Sequence, residues 1–110
     1  MRLVRFEAAR AITQFDSRGA TVAGIARCSG HVQVAFLELE PGGTVGMHEA
    51  ASAQLFLVVA GEGRVRSGES EPMPIAQGQG AFWESGELHE TVSDTGLTAI
   101  VVEAETLELI

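Results

Sequence analysis

The sequence predicts an all-β fold, a sandwich or barrel of short strands, and two observations carry that expectation. Turn signals recur along the chain at Arg18-Gly19, Ser29-Gly30, Pro41-Gly42-Gly43, Gly61-Glu62-Gly63, Ser67-Gly68, Gly78-Gln79-Gly80, Ser85-Gly86 and Asp94-Thr95-Gly96. Between them lie short runs rich in Val, Ile, Leu, Phe and Thr, residues that suit a pleated, half-buried surface. Length supplies the frame. At 110 residues and 11.6 kDa the chain suits one domain, taken as residues 1–110 with a core over about residues 31–104. Surface scaling gives roughly 5,800 Å² exposed when folded, so about 65% of the open chain's surface is buried without staples.

Three segments read as strands. His31 to Glu40 alternates around Val32, Val34 and Phe36, then shifts phase to Leu37 and Leu39, which predicts a bulge near Phe36. Gln54 to Ala60 is apolar on both faces after its first residue, and Leu97 to Ala104 is similar. Such runs need cover on both sides. One side is a barrel interior; the other is a second sheet, a terminal segment or a partner subunit. Glu7 to Gln14, through Ala8, Ala9 and Ala11, is the one candidate helix, although Ile12 and Phe15 also suit a strand. The tail from Thr106 to Ile110 alternates briefly, as an edge strand would.

Charge narrows the partners. Seven Arg, with no Lys, stand against fifteen Asp plus Glu, giving a net charge of −8 and a pI near 4.7. No cationic cluster exceeds Arg64 and Arg66, so neither nucleic acid nor an anionic membrane is an expected partner. The longest apolar run, Leu55 to Ala60, is far too short to span a bilayer, and the first ten residues lack a sustained apolar stretch. A lone cysteine, Cys28, forms no internal disulfide and reads as an inert small hydrophobe. The expectation is a soluble, cytoplasmic protein.

The chemistry-bearing residues are His48 and His89. Each follows a Gly-containing turn, in Pro41-Gly42-Gly43-Thr44-Val45-Gly46-Met47-His48 and Ser85-Gly86-Glu87-Leu88-His89. Neutral imidazole ligates Zn, Fe, Ni or Cu well. Far apart in sequence, the two meet only through the fold.

These segments resemble the two motifs of the cupin superfamily. The first runs Gly42, five residues, His48-x-Ala50, three residues, Gln54, six residues, Gly61. The second runs Gly78, five residues, Glu84-x-Gly86, two residues, His89, three residues, Ser93. Spacing agrees throughout with the family pattern, and sixteen residues separate Gly61 from Gly78. The resemblance implies a single-domain double-stranded β-helix, a jelly-roll barrel, and a homodimer. It also implies a metal held by two His and a Glu of the first motif and a His of the second. Carried over, His48 and His89 fill two positions. Ala50 stands where the second His belongs, and Gln54 where the Glu belongs.

An amide brings only a carbonyl oxygen where a carboxylate brings charge, and alanine brings nothing. His48, His89 and Gln54 make a neutral three-point set, short of the 2-His-1-carboxylate triad of non-haem Fe(II) oxygenases. The implied cofactor is one weakly bound divalent ion (Fe, Mn, Ni or Zn) or none. Three functions follow: a small-ligand-binding cupin with a polar pocket of His48, Gln54 and His89; a metal-dependent dioxygenase or isomerase using His48 and His89; or a non-catalytic interaction protein. Outward apolar residues among Leu55, Leu57 and Val59 favour self-association. His31 reads as a surface residue, Trp83 as core or interface, and Arg64 with Arg66 as a solvated strand face.

Overall fold

The structure, a computed structural model, describes residues 1–7 and 9–110. Ten strands are present among the described residues: β1 (Arg2–Arg5), β2 (Arg10–Ala11), β3 (Thr21–Val22), β4 (Ala26–Leu39), β5 (Thr44–Glu49), β6 (Ala53–Ser67), β7 (Met73–Ala76), β8 (Gln79–Trp83), β9 (Leu88–Val92) and β10 (Leu97–Leu109). One wall has the order β1-β8-β6-β10-β4, and the other joins β7, β6, β9 and β5. Every pairing is antiparallel. The short β2–β3 ribbon stands apart from both.

Strand β6 makes the barrel by belonging to both walls. Residues Gln54 to Leu57 pair with β8, and Ala53 to Gly61 pair with β10. Glu62 to Ser67 pair instead with β7 and β9. The change falls at Gly61, whose φ is +81°. A Cβ there would lie 2.3 Å from the Gly96 carbonyl oxygen, and one on Gly63 would lie 2.4 Å from that of Val92. The Gly61-Glu62-Gly63 segment, expected as a turn, is therefore a strand corner, where glycine is needed for close backbone approach.

Inward side chains of both walls form the core: Phe56 and Val58 of β6, Val65 beyond the corner, Ile75, Ala81, Trp83, Leu97, Ala99 and Val101. Phe56 and Trp83 meet edge to face with ring centroids 6.1 Å apart, a geometry worth about 0.5–1.5 kcal/mol beyond area burial.

Several expectations are corrected. Pairing between β4 and β10 is continuous from Leu39↔Leu97 to Val32↔Ala104, so no bulge lies near Phe36. Ala35, Leu37 and Leu39 point inward, while Val32, Val34 and Phe36 point outward, 48%, 64% and 64% exposed. The irregularities lie instead between Thr98 and Ala99 against β6, and between Ala104 and Thr106 against β4. In the predicted helix, Arg10 and Ala11 pair with Val22 and Thr21 as strand; Ala8 lies outside the described residues. The tail is no separate edge strand, since Thr106 to Leu109 continue β10 against Ser29 to Ala26. Cys28 is exposed on β4. Leu55 is buried and only Val59 of the proposed outward trio is well exposed. No described helix is long and apolar enough to cross a membrane.

Candidate functional site

Backbone hydrogen bonds clamp the two motifs together at both ends. Gly42 N–H donates to the Ser93 carbonyl at 2.9 Å, and Ser93 N–H to that of Gly43 at 3.1 Å. At the other end Ala50 N–H donates to the Glu87 carbonyl at 3.0 Å, and Gly86 N–H to that of Ala50 at 2.7 Å. Gly42 and Gly86 make their turns with φ of +82° and +84°. Between the clamps, β5 and β9 pair so that His48 and His89 are direct cross-strand partners. Their rings approach to 4.2 Å between centroids, tilted by 52°.

Around them lies a cavity of about 180 Å³, lined by Ala35, Leu37, Val45, His48, Gln54, Phe56, Trp83, His89, Thr91, Val101 and Glu103. The structure thus brings all three expected pocket residues together. Gln54 sits on β6 in register with Trp83 on β8 and Glu103 on β10. Trp83, fully buried, is core and cavity wall at once, and it stacks on His89 with centroids 4.5 Å apart. His31 is exposed on β4, as expected. Arg64 and Arg66 are paired with Asp94 and Glu90 at 2.9 and 3.0 Å, and no Arg lines the cavity.

Sequence reasoning missed Glu103. The signal for it was parity: Ala99, Val101 and Glu103 alternate along one face of β10, so a carboxylate follows two core residues into the barrel.

Tautomers follow from the backbone. His48 Nδ1 lies 2.7 Å from the Gly46 carbonyl, and His89 Nδ1 lies 3.2 Å from that of Glu87. A carbonyl only accepts, so each Nδ1 carries a proton, and in the neutral form of His89 the lone pair is on Nε2. His89 Nε2 is buried without a partner, and so is the indole Nε1–H of Trp83. Burial pushes His89 below the usual histidine range; the Glu87 carbonyl and the charges of Glu87 and Glu103 oppose that, and His48 adds to it. Burial also works against the Glu87 carboxylate. Hydrogen bonds from the Met1 ammonium, the Ser67 hydroxyl and the Glu84 N–H outweigh it and hold Glu87 below the ordinary carboxylate range.

These shifts set an acid response. An unfolded chain takes up a proton at His89 near pH 6.5, which the folded ring resists, so this contribution is present above 6.5 and lost as pH falls below it. Glu87 contributes above 4.5, its ordinary value, and its contribution is lost as pH falls through the lowered folded value. Urea unfolding should show stability falling in two stages on acidification, and His89→Gln should remove the first. Stability unchanged between pH 8 and about 5.5 would contradict the buried neutral imidazole.

The metal set implied by the motif does not fit these residues. Ala50 is buried, with its backbone committed to Gly86 and Glu87, and Gln54 carries no charge. Among the described residues no group of three or more His, Cys, Asp or Glu is arranged to hold a metal ion. What remains is two imidazoles beside an amide and a carboxylate, a set suited to hydrogen bonding.

A two-wall antiparallel barrel with paired motif histidines lining its cavity defines the jelly-roll class. The cupin domain model matches residues 35–104, and the chain belongs to that family. Among solved structures it resembles a conserved protein of unknown function from Streptococcus pyogenes, with a TM-score of 0.64 and 15% identity over 71% of this chain and 68% of that one. An uncharacterised double-stranded β-helix protein from Klebsiella pneumoniae gives a TM-score of 0.63 and 18% identity over 84% and 86%. A predicted oxalate decarboxylase from Thermotoga maritima is 28% identical, with a TM-score of 0.58 over 70% of this chain and 65% of that one. No curated protein matches the sequence.

Proposed function

We propose that this cupin binds a small molecule in the cavity of His48, Gln54 and His89, and that binding does not depend on a metal. The observation that carries the reading is the buried methyl of Ala50 where the family places a ligand, with no charged replacement at Gln54. A fold alone does not fix chemistry. The paired rings 4.2 Å apart favour a second reading, a metal-dependent dioxygenase or isomerase with His48 and His89 as ligands. The two separate on chelation. In a thermal-shift screen of neutral, cationic and anionic small molecules, hits should persist in EDTA and vanish in His48→Ala/His89→Ala. Hits that require added Fe(II), Mn(II), Ni(II) or Zn(II) would support the enzyme reading instead.

The physiological form is a homodimer in this proposal. Exposed area is 6774 Å², against the roughly 5,800 Å² expected for a free monomer of this mass. Val32, Val34 and Phe36 form an outward apolar row on β4. Sedimentation should give a dimer at about 10 μM, a concentration at which a sub-micromolar complex is formed, and Val34→Glu/Phe36→Glu should give a monomer. A wild-type monomer at that concentration would end this part of the account. The exposed lone cysteine suits a reducing compartment such as the cytoplasm.

A further inference from the structure

We infer that the cavity takes a small primary ammonium ion, held by the carboxylate of Glu103 beside the amide of Gln54. The inference rests on the metal-independent pocket proposed above and names the class of its ligand.

Register fixes where the carboxylate lies. Residues paired directly across antiparallel strands share a face of the sheet. One such row runs Trp83, Gln54, Glu103, Gln33 over β8, β6, β10 and β4. Trp83 belongs to the core, so the face is the barrel's interior. The next row on that face, Ala81, Phe56, Val101 and Ala35, is apolar throughout. Glu103 lines the cavity of about 180 Å³ with Gln54 and the two histidines. It is also the one residue shared with a second cavity of about 240 Å³, lined by His31, Val32, Gln33 and Ser52. Its charge reaches His89 and favours the protonated ring, against the larger effect of burial.

The surroundings leave that charge unanswered. Among the described residues Glu103 makes no ion pair, and its register partners Gln33 and Gln54 are neutral amides. Neither cavity is lined by an Arg. The wider field has the same sign. From Cys28 onward the chain carries two Arg against thirteen Asp and Glu, and both Arg are already paired. Such a field concentrates cations at a cleft and repels anions.

Ligand classes differ in what they offer this site. An alkyl ammonium brings three N–H donors on a positive charge. The Glu103 carboxylate only accepts, and the Gln54 amide sets a carbonyl oxygen beside it. An alcohol offers one donor and no charge, and a carboxylate ligand sets like charges together. The apolar row suits a short alkyl body, and the space exceeds the roughly 150 Å³ that accommodates benzene.

The test titrates the nitrogen-labelled protein with butylamine, butanol and butyrate at about pH 7.5 in EDTA, and follows the Gln54 side-chain amide by NMR. An alkyl ammonium is charged at that pH. Butylamine should bind saturably, shift the Gln54 amide, and bind at least about fivefold more tightly than butanol, the upper range for an ion pair open to water. Butyrate should be the weakest of the three. Glu103→Gln keeps the shape and removes the charge; it should weaken butylamine about fivefold and leave butanol unchanged. Glu108→Gln should change neither, since that carboxylate is exposed near the end of β10 and lies outside both linings. The wild-type order of the three probes carries the test if Glu103→Gln does not fold. Butanol or butyrate bound as tightly as butylamine, undiminished butylamine binding in Glu103→Gln, an equal loss in Glu108→Gln, or no saturable binding of butylamine would each overturn the ammonium assignment. Other molecules bound in EDTA would leave the pocket reading standing. Butylamine binding that appears only with an added metal would instead bring down the pocket reading on which this inference rests.

Discussion

Replacing Trp83 with alanine is expected to cost the fold about 3–5 kcal/mol, the range for deleting a large buried aromatic. Three features place it at the top of the scale. Its side chain is fully buried, it meets Phe56 edge to face, and it stacks on His89. Strand β8, which carries it, pairs with both β1 and β6, so collapse around the vacated space would have to move two neighbours at once. Relaxation should be partial, and the cost correspondingly near the full range. Removing the indole N–H, a buried donor without a partner, offsets part of this cost. Chemical denaturation of Trp83→Ala measures the loss. A change below about 0.5 kcal/mol, the size of an ordinary surface substitution, would mean that the Phe56–Trp83–His89 stack does not hold the barrel together.

Restoring the family's ligand set should produce the largest change in binding. In Ala50→His/Gln54→Glu the four motif positions would again carry three imidazoles and a carboxylate. Position 50 is held against the turn before β9 by hydrogen bonds to Glu87 and Gly86, and position 54 lies in register with Trp83 and Glu103. Affinity for Zn(II) or Fe(II) should rise by more than about 100-fold, since losing even an outer partner of a ligand commonly costs 10–100-fold. Circular dichroism checks that the buried alanine site accepts the larger ring. A folded double variant with no more metal affinity than the wild type would show that something other than positions 50 and 54 disables the site.

Much of the barrel was legible because strand parity and glycine spacing are local properties. His48 and His89 could be paired from the motif spacing, and the structure makes them cross-strand neighbours. The errors share a cause. The bulge expected near Phe36 follows from placing the apolar Val32, Val34 and Phe36 on the same face as Leu37 and Leu39, yet an apolar residue is not thereby a buried one. That mistake forced a bulge into a strand whose true inward set is Ala35, Leu37 and Leu39. Gly61 and Gly63 were taken for a turn because glycine serves turns, but here it admits neighbouring carbonyls at a strand corner. Glu103 escaped notice because motif reasoning looks only at motif positions. Its place in the cavity comes from pairing with Gln54 across strands nearly fifty residues apart, a relation set by register and not by any local pattern. The unmet hydrogen-bonding atoms of Trp83 and His89 depend on tertiary burial, which a sequence does not print.

The most direct test of the central claim is the metal content of the wild-type chain. It should be purified untagged and without chelator, incubated in turn with Fe(II), Mn(II), Ni(II) and Zn(II), desalted, and read by elemental mass spectrometry beside His48→Ala/His89→Ala. The account predicts that the two proteins retain the same trace amounts, far below one ion per chain. Near-stoichiometric metal in the wild type that disappears in the double variant would contradict it, and would make His48 and His89 the ligands of a working metal centre.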